Sequence, residues 1–158
     1  MDILLTAFCG TSAEQLLKRT GQEGLFLPND KVLDARLLTE EISAKKYDYV
    51  FSFGQKPNIK DKVYIEEAAQ NNGECKKTAF DCERLAALFR AYQMEARISG
   101  NAGTSFCNSL YWNGLDFIQK HGLDVKMVFV HIPMRKNITD FEKFGRTVLE
   151  VVHFFAAS

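Results

Sequence analysis

Short apolar runs alternate with stretches of helical spacing along the whole chain, and this alternation limits its fold more than any other feature. Asp2-Ile-Leu-Leu-Thr-Ala-Phe8 is an apolar run stopped by Gly10, and reads as a buried first strand. Thr11-Ser12 can cap a helix over Ala13–Arg19, with Gly21 as its stop. Leu25–Pro28 reads as a brief second strand. Val32, Leu33, Leu37, Leu38 and Ile42 recur at helical spacing, which predicts a helix over 31–45. Tyr47–Phe53 is β-rich and closed by a loop at Gly54-Gln-Lys-Pro57. Val63-Tyr-Ile65 is another short strand running into Glu66. Asn71–Lys77 is polar and turn-rich, and reads as a loop. Thr78 is placed to cap a helix over Ala79–Tyr92. A strand at Ala96–Ser99, a turn at Gly100–Gly103 and a helix from Thr104 to His121 follow. Lys126–His131 is a strongly apolar strand closed by Pro133. Thr139 and Glu142 form a capping box for a last helix reaching Phe155.

Strands alternating with helices imply the α/β class, a sheet covered by helices on both faces. Parallel crossovers should dominate, with one antiparallel pair around 49–66. The 158 residues are the length of one domain, so 1–158 is expected to fold as a single α/β unit. In such sheets functional groups collect at the carboxyl ends of strands, which directs attention to the loops after Phe8, Phe53, Ser99 and Val130.

Twenty basic and twenty acidic residues cancel, and no long basic run exists, so nucleic acid is not an expected partner. No apolar run approaches the ~20 residues of a membrane span. No basic n-region precedes the first strand, and the expected location is the cytoplasm. There Cys9, Cys75, Cys82 and Cys107 are expected as thiols, and none forms a CxxC pair. Dinucleotide, Walker and HExxH motifs are absent.

Two strand ends carry reactive residues. In Ser99-Gly-Asn-Ala-Gly-Thr-Ser-Phe-Cys107-Asn a strand ends, a Gly-flanked turn follows, and a helix begins close to Cys107. Free N–H groups and the helix dipole there favour an anion, which would lower the thiol pKa and could form an oxyanion hole. The competing reading is a packing cysteine on an amphipathic helix. In Val128-Phe-Val-His131-Ile-Pro an imidazole ends an apolar strand; it suits a general base or a backbone-bonded core histidine. A Cys and a His at neighbouring strand ends are what a thiol hydrolase needs. Glu66 and Glu67 are candidates to orient the imidazole. His121 suits its helix's last turn, and His153, among Val151, Val152, Phe154 and Phe155, reads as a packing or interface residue. Those residues, with Phe141, Phe144 and Val148, leave the last helix little polar face, so it could serve an oligomer interface.

These segments resemble the signatures of the pyroglutamyl peptidase I family, cysteine peptidase family C15. The similarity rests on Ser99-Gly-Asn-Ala-Gly-Thr-Ser-Phe-Cys107-Asn108, on Val128-Phe-Val-His131-Ile-Pro133, and on Gly54-Gln-Lys-Pro57 leading to Ile65-Glu-Glu-Ala-Ala-Gln-Asn71. Ile3-Leu-Leu-Thr-Ala-Phe8 resembles the family's first strand. The resemblance implies a three-layer α/β/α sandwich with a twisted, mostly parallel mixed sheet. It implies metal-free and cofactor-free hydrolysis of the amide after an N-terminal pyroglutamyl residue, by a chain that is commonly a homo-oligomer. Cys107 would attack, His131 would act as base and then acid, and Glu66 rather than Glu67 would orient His131. Substrate contacts would come from Phe8, Cys9 and Gly10 and from Asn101, Ala102 and Gly103.

The chain departs from the family pattern in places. Family members usually exceed 200 residues. The family's Gly-Phe-x-Pro-Phe-Gly loop is reduced here to Ala7-Phe-Cys-Gly10, without its second Phe, and no Gly-Arg pair follows Gly54. The shortened loop motivates two alternatives: hydrolysis of another small amide or ester, or a catalytically reduced binding protein. Cys9 is either a small filler in a tight turn or a second thiol able to pair with Cys107 on oxidation.

Overall fold

The computed structural model describes residues 1–103 and 105–158. Strand β1 (Ile3–Phe8) leads through α1 (Ser12–Arg19) to β2 (Leu25–Leu27). Helix α2 (Lys31–Ala44) leads to β3 (Tyr49–Lys56), then β4 (Lys62–Glu66), and β5 (Ala68–Asn71) pairs with β6 (Glu74–Lys77). Helix α3 (Cys82–Ala91), β7 (Glu95–Ser99), α4 (Phe106–Lys120), β8 (Lys126–Pro133) and α5 (Phe141–Ala157) complete the order. Helix starts follow side-chain caps. Thr11 accepts from the Glu14 N–H, and Asp30 from those of Val32 and Leu33. Asp81 and Asp140 cap α3 and α5.

Six strands form one sheet in the order β2-β1-β3-β8-β4-β7. Every neighbouring pair is parallel except β4 with β8. Side chains alternate between faces. Leu5, Ala7, Phe51, Phe53, Val63, Ile65, Val128, Val130 and Ile132 pack under α1, α3 and α5. Leu4, Phe8, Val50, Met127 and Phe129 pack under α2 and α4. The result is the expected three-layer α/β/α sandwich with a mixed sheet.

Several local expectations change. Asn71–Lys77 is not a loop: β5 and β6 pair antiparallel about Asn72-Gly73, both at positive φ. β3 runs on through Gly54, Gln55 and Lys56, because β8 pairs with it as far as Lys56↔Pro133. The antiparallel pair is β4–β8 rather than one within 49–66. Asp81, not Thr78, caps α3; the Thr78 hydroxyl donates to the Met127 carbonyl. Asp140 displaces Thr139 as the cap of α5, and Thr139 bonds Asp61 instead. Helix α4 begins at Phe106, and the expected start at Thr104 lies outside the described residues. The apolar face of α5 faces inward: Phe144, Val148, Val151, Val152 and Phe155 are buried, leaving Phe154 exposed. That core burial, rather than an interface, accounts for its composition.

Candidate active site

Strand parity sets the site. Gly54 and Lys56 on β3, Phe129 and His131 on β8, and Tyr64 and Glu66 on β4 share the face under α4. Gly54 pairs in register with His131, and the antiparallel β4 sets Tyr64 opposite His131 and Glu66 opposite Phe129. Helix α4 runs antiparallel to β8, with Gly114 against Met127 at one end and Cys107 over Gly54 at the other. A Cβ on Gly54 would lie 2.6 Å from the Cys107 Sγ and 2.9 Å from the Phe129 ring. Only glycine lets the thiol reach the sheet there, on the strand next to His131.

Behind the ring, Glu66 Oε1 lies 3.4 Å from His131 Nδ1, and Glu66 is wholly buried. The contact lacks hydrogen-bond alignment, so both carboxylate oxygens and Nδ1 remain without a well-directed partner. Lys56 Nζ lies 4.0 Å from the same Oε1 and over the Tyr64 ring. The buried Tyr111 hydroxyl donates to the Glu66 backbone carbonyl at 2.7 Å. Tyr111 lies one helical turn after Cys107, so the helix that carries the thiol also fixes the strand that carries the carboxylate. Asn108 accepts from the Gln70 N–H at 2.9 Å and donates to the Gln70 carbonyl at 2.8 Å, clamping β5 onto α4. The sequence hid Tyr111, because its i+4 spacing from Cys107 equally fits a core residue.

Cys107 follows Phe106 and the N-cap Ser105, among the unpaired N–H groups of α4. Its own N–H, Lys56 and the Ser105 hydroxyl favour the thiolate, as the sequence suggested. Burial and the Glu66 charge outweigh them and push the thiol up to about 12. The expected lowered pKa is therefore corrected: a helix start cannot offset the loss of water around a thiol that is 9% exposed.

The other expected contacts divide. Phe8 faces the site and is buried, its ring 6.4 Å from Phe129 and 6.5 Å from the half-exposed Phe106. Phe106, the residue before Cys107, supplies an aromatic surface that the shortened first loop lacks. Cys9 continues the parity of Leu5 and Ala7, and burial together with the nearby Glu14 carboxylate of α1 raises its thiol pKa. Gly10 donates its N–H to the same carboxylate at 3.2 Å. The structure thus turns Cys9 towards α1, not towards Cys107. Ala102 is buried beside Phe8 and Cys107, while the Asn101 side chain folds back onto the Gly103 N–H at 2.9 Å. Glu67 faces away from Glu66 along the strand, near Gly100. His121 Nδ1 lies 3.0 Å from the Phe117 carbonyl, and His153 is exposed beside Gln22. Among the described residues no cluster of three His, Cys, Asp or Glu is positioned to hold a metal ion.

An α/β/α sandwich with a thiol at a helix start, against a strand pair carrying an imidazole and a buried carboxylate, is the architecture of a cysteine-type α/β hydrolase. A family profile described as pyroglutamyl peptidase matches residues 57–149. The chain belongs to the pyroglutamyl peptidase family, cysteine peptidase family C15, whose members remove N-terminal pyroglutamate. The pyrrolidone-carboxylate peptidase of Thermoanaerobacter sp. (strain X514) is 29% identical over 84% of this chain and 82% of its own length. The pyrrolidone carboxyl peptidase structure from Fervidobacterium islandicum AW-1 superposes with a TM-score of 0.86 at 18% identity, covering 99% of each chain. That from Thermococcus litoralis gives 0.81 at 18% identity, covering 96% of this chain and 91% of the other. The shortened loops therefore leave the family fold intact. The alternatives of another amide substrate or a non-catalytic binder draw no support from these relatives.

Proposed function

We propose that this chain, acting as one α/β domain, hydrolyses the amide bond after an N-terminal pyroglutamyl residue, with Cys107 as nucleophile, His131 as general base and acid, and Glu66 as the residue positioning His131. The observation that carries the assignment is the convergence of three distant segments: Cys107 Sγ against Gly54, Gly54 in register with His131, and Glu66 Oε1 3.4 Å from His131 Nδ1. Because burial keeps the resting thiol protonated, His131 removes its proton as Sγ attacks the pyroglutamyl carbonyl, not beforehand. The imidazolium so formed sits beside the Glu66 carboxylate, which stabilises it in the low-dielectric interior. It then returns the proton to the leaving amine, and water releases pyroglutamate from the thioester. Free N–H groups at the start of α4 face the carbonyl oxygen as charge develops on it. The ring has Phe8 and Phe106 as its aromatic surroundings.

The deciding assay uses a pyroglutamyl amide with a fluorogenic aminocoumarin leaving group. Wild type is expected to turn it over and Cys107→Ala to show none; equal rates would remove Cys107 from the mechanism. Slow alkylation of resting Cys107 by iodoacetamide is expected from its burial, and does not by itself argue against catalysis.

No helix among the described residues is long and apolar enough to cross a membrane. The proposed setting is the cytoplasm, where the four thiols stay reduced, and the proposed assembly is a homo-oligomer. Exposed Phe154 and Tyr92, with ring centroids 6.4 Å apart, form one apolar patch available for it. Sedimentation of wild type and Phe154→Ser tests this; a monomer in both would reject the oligomer.

A further inference from the structure

A polar pocket of about 290 Å³ lies alongside the first two turns of α4, next to Cys107 in the chain. Ser105 and Asn108, which flank Cys107, line one end; Trp112 and Asn113 line the other, with Gln70 and Lys31 opposite. Gln70 is locked in place, its backbone clamped by Asn108 and its side-chain amide donating to the Gly100 carbonyl at 2.8 Å. Lys31 differs from other lysines near α4. Lys76 and Lys120 both pair with Asp116, at 3.3 and 2.9 Å. Lys31 has no carboxylate within 4 Å among the described residues, and its Nζ stands 5.8 Å from the centre of the Phe106 ring. It also begins α2, where the helix dipole disfavours a cation. The neighbouring Asp30 carboxylate is occupied in capping the Val32 and Leu33 N–H groups. Lys31 is exposed, and beyond its place over the Phe106 ring it is open to an anion in the pocket.

We infer that this pocket binds the free α-carboxylate of a short leaving group, with Lys31 as its counter-ion, so that the enzyme selects pyroglutamyl dipeptides and tripeptides ending in a free acid. The inference rests on the proposed peptidase activity. The reach is right: at ~3.5 Å per extended residue, one or two residues beyond the scissile bond cross the part of α4 that follows Cys107, which rises ~1.5 Å per residue. The Asn113 side-chain amide gives one hydrogen to the Ser109 carbonyl at 2.8 Å and keeps a second, which with the Trp112 indole N–H can serve the peptide leading to that carboxylate.

The experiment compares kcat/KM for pyroglutamyl-alanine as the free acid and as its amide, measured as a ratio within each enzyme. Wild type is expected to prefer the acid about two- to fivefold at low salt, the range of an exposed ion pair, with the preference shrinking in 1 M salt. Lys31→Gln should bring the ratio near one, and Lys31→Glu should invert it. Because each ratio is internal to one protein, a partly folded variant does not distort it. A wild-type ratio of one, or a preference that survives Lys31→Glu, overturns the subsite while leaving the peptidase intact. Failure of wild type to cleave the aminocoumarin substrate instead removes the activity on which the subsite depends.

Discussion

The two faces of the sheet are made from the same strands, yet they do different work. Under α1, α3 and α5 the inward residues of the central strands are apolar apart from Gln55, which accepts from the Ser12 N–H at 3.0 Å, and Phe51, Phe80 and Phe155 interlock with Tyr49, Phe80 stacked on Phe155 at 4.7 Å. Under α2 and α4 the alternate residues of those strands include Thr6, Ser52, Gly54, Lys56, His131 and Glu66, all but Lys56 buried or nearly so. One face is packed for stability. The other holds polar groups whose burial costs stability and yields a dry site. Thr6 and Ser52 satisfy each other at 2.8 Å, but Glu66 and His131 do not reach full hydrogen bonding. Buried groups left under-satisfied in this way cluster where chemistry is done.

The largest expected effect separates the faces outright. Phe51→Ala should lower the unfolding free energy by about 3–5 kcal/mol while leaving kcat per folded molecule nearly unchanged. Cys107→Ala should abolish turnover and leave the denaturation midpoint close to wild type. Denaturant titration with turnover on one preparation checks both, and loss of specific activity in Phe51→Ala would mean that the faces are coupled.

Glu66→Gln comes next. It should reduce kcat by roughly 10²–10⁴-fold, the span for disabling an acid–base partner. It also removes a charge that holds the Cys107 thiol up, so iodoacetamide should react faster with this variant than with wild type. Slower turnover together with faster alkylation, at a denaturation midpoint close to wild type, distinguishes a positioning carboxylate from one that merely supports the fold.

Gly54→Ala probes the closest approach between helix and sheet. The added methyl must displace Sγ or the Phe129 ring, and a shift near 1 Å should cost about 10²-fold in kcat with about 1–3 kcal/mol of stability. A crystal structure of the variant would show which of the two moved. Cys82, on the apolar side, is like Cys107 pushed up to about 12 chiefly by burial. Between the ordinary thiol value of 9.0 and about 12, the unfolded chain loses these protons while the folded chain keeps them. Stability should therefore fall as pH rises through that window, by at most ~1.4 kcal/mol per unit per group. Cys82→Ala should flatten the slope measured by denaturant titration.

The smallest effect is at Asp34 on α2, buried with neither oxygen well partnered and its pKa raised by desolvation. A raised carboxyl favours folding when protonated and loses that contribution as pH climbs past 3.8. Asp34→Asn should then raise the unfolding free energy at pH 7 by about 1 kcal/mol, and leave it unchanged below pH 3. No gain at neutral pH would mean the carboxylate has an unrecognised role on the polar side.

The alternation of strands and helices was legible because apolar periodicity is local: Ile3–Phe8, Lys126–Pro133 and the helix at 31–44 each announce themselves within a few residues. The residues Cys107, His131 and Glu66 were visible through their motifs, at two strand ends and a helix start. Their environment was not. The direction of the Cys107 shift depends on what covers the thiol, and Glu66 and Gly54 come from about 40 and 50 positions away in sequence. The turn of Cys9 towards α1 depends on strand parity relative to helices packed later in the chain. The β5–β6 hairpin carries a local signal, the Asn72-Gly73 turn, which the polar composition of Asn71–Lys77 masked; what the segment does not reveal is that Asn108 of a distant helix clamps Gln70 and fixes β5 against α4. By itself the sequence determined the layers and the residue types that could react. Only the tertiary structure decided which of them lie together and how dry they are, since desolvation and charge pairing belong to the packed molecule rather than to any segment of the chain.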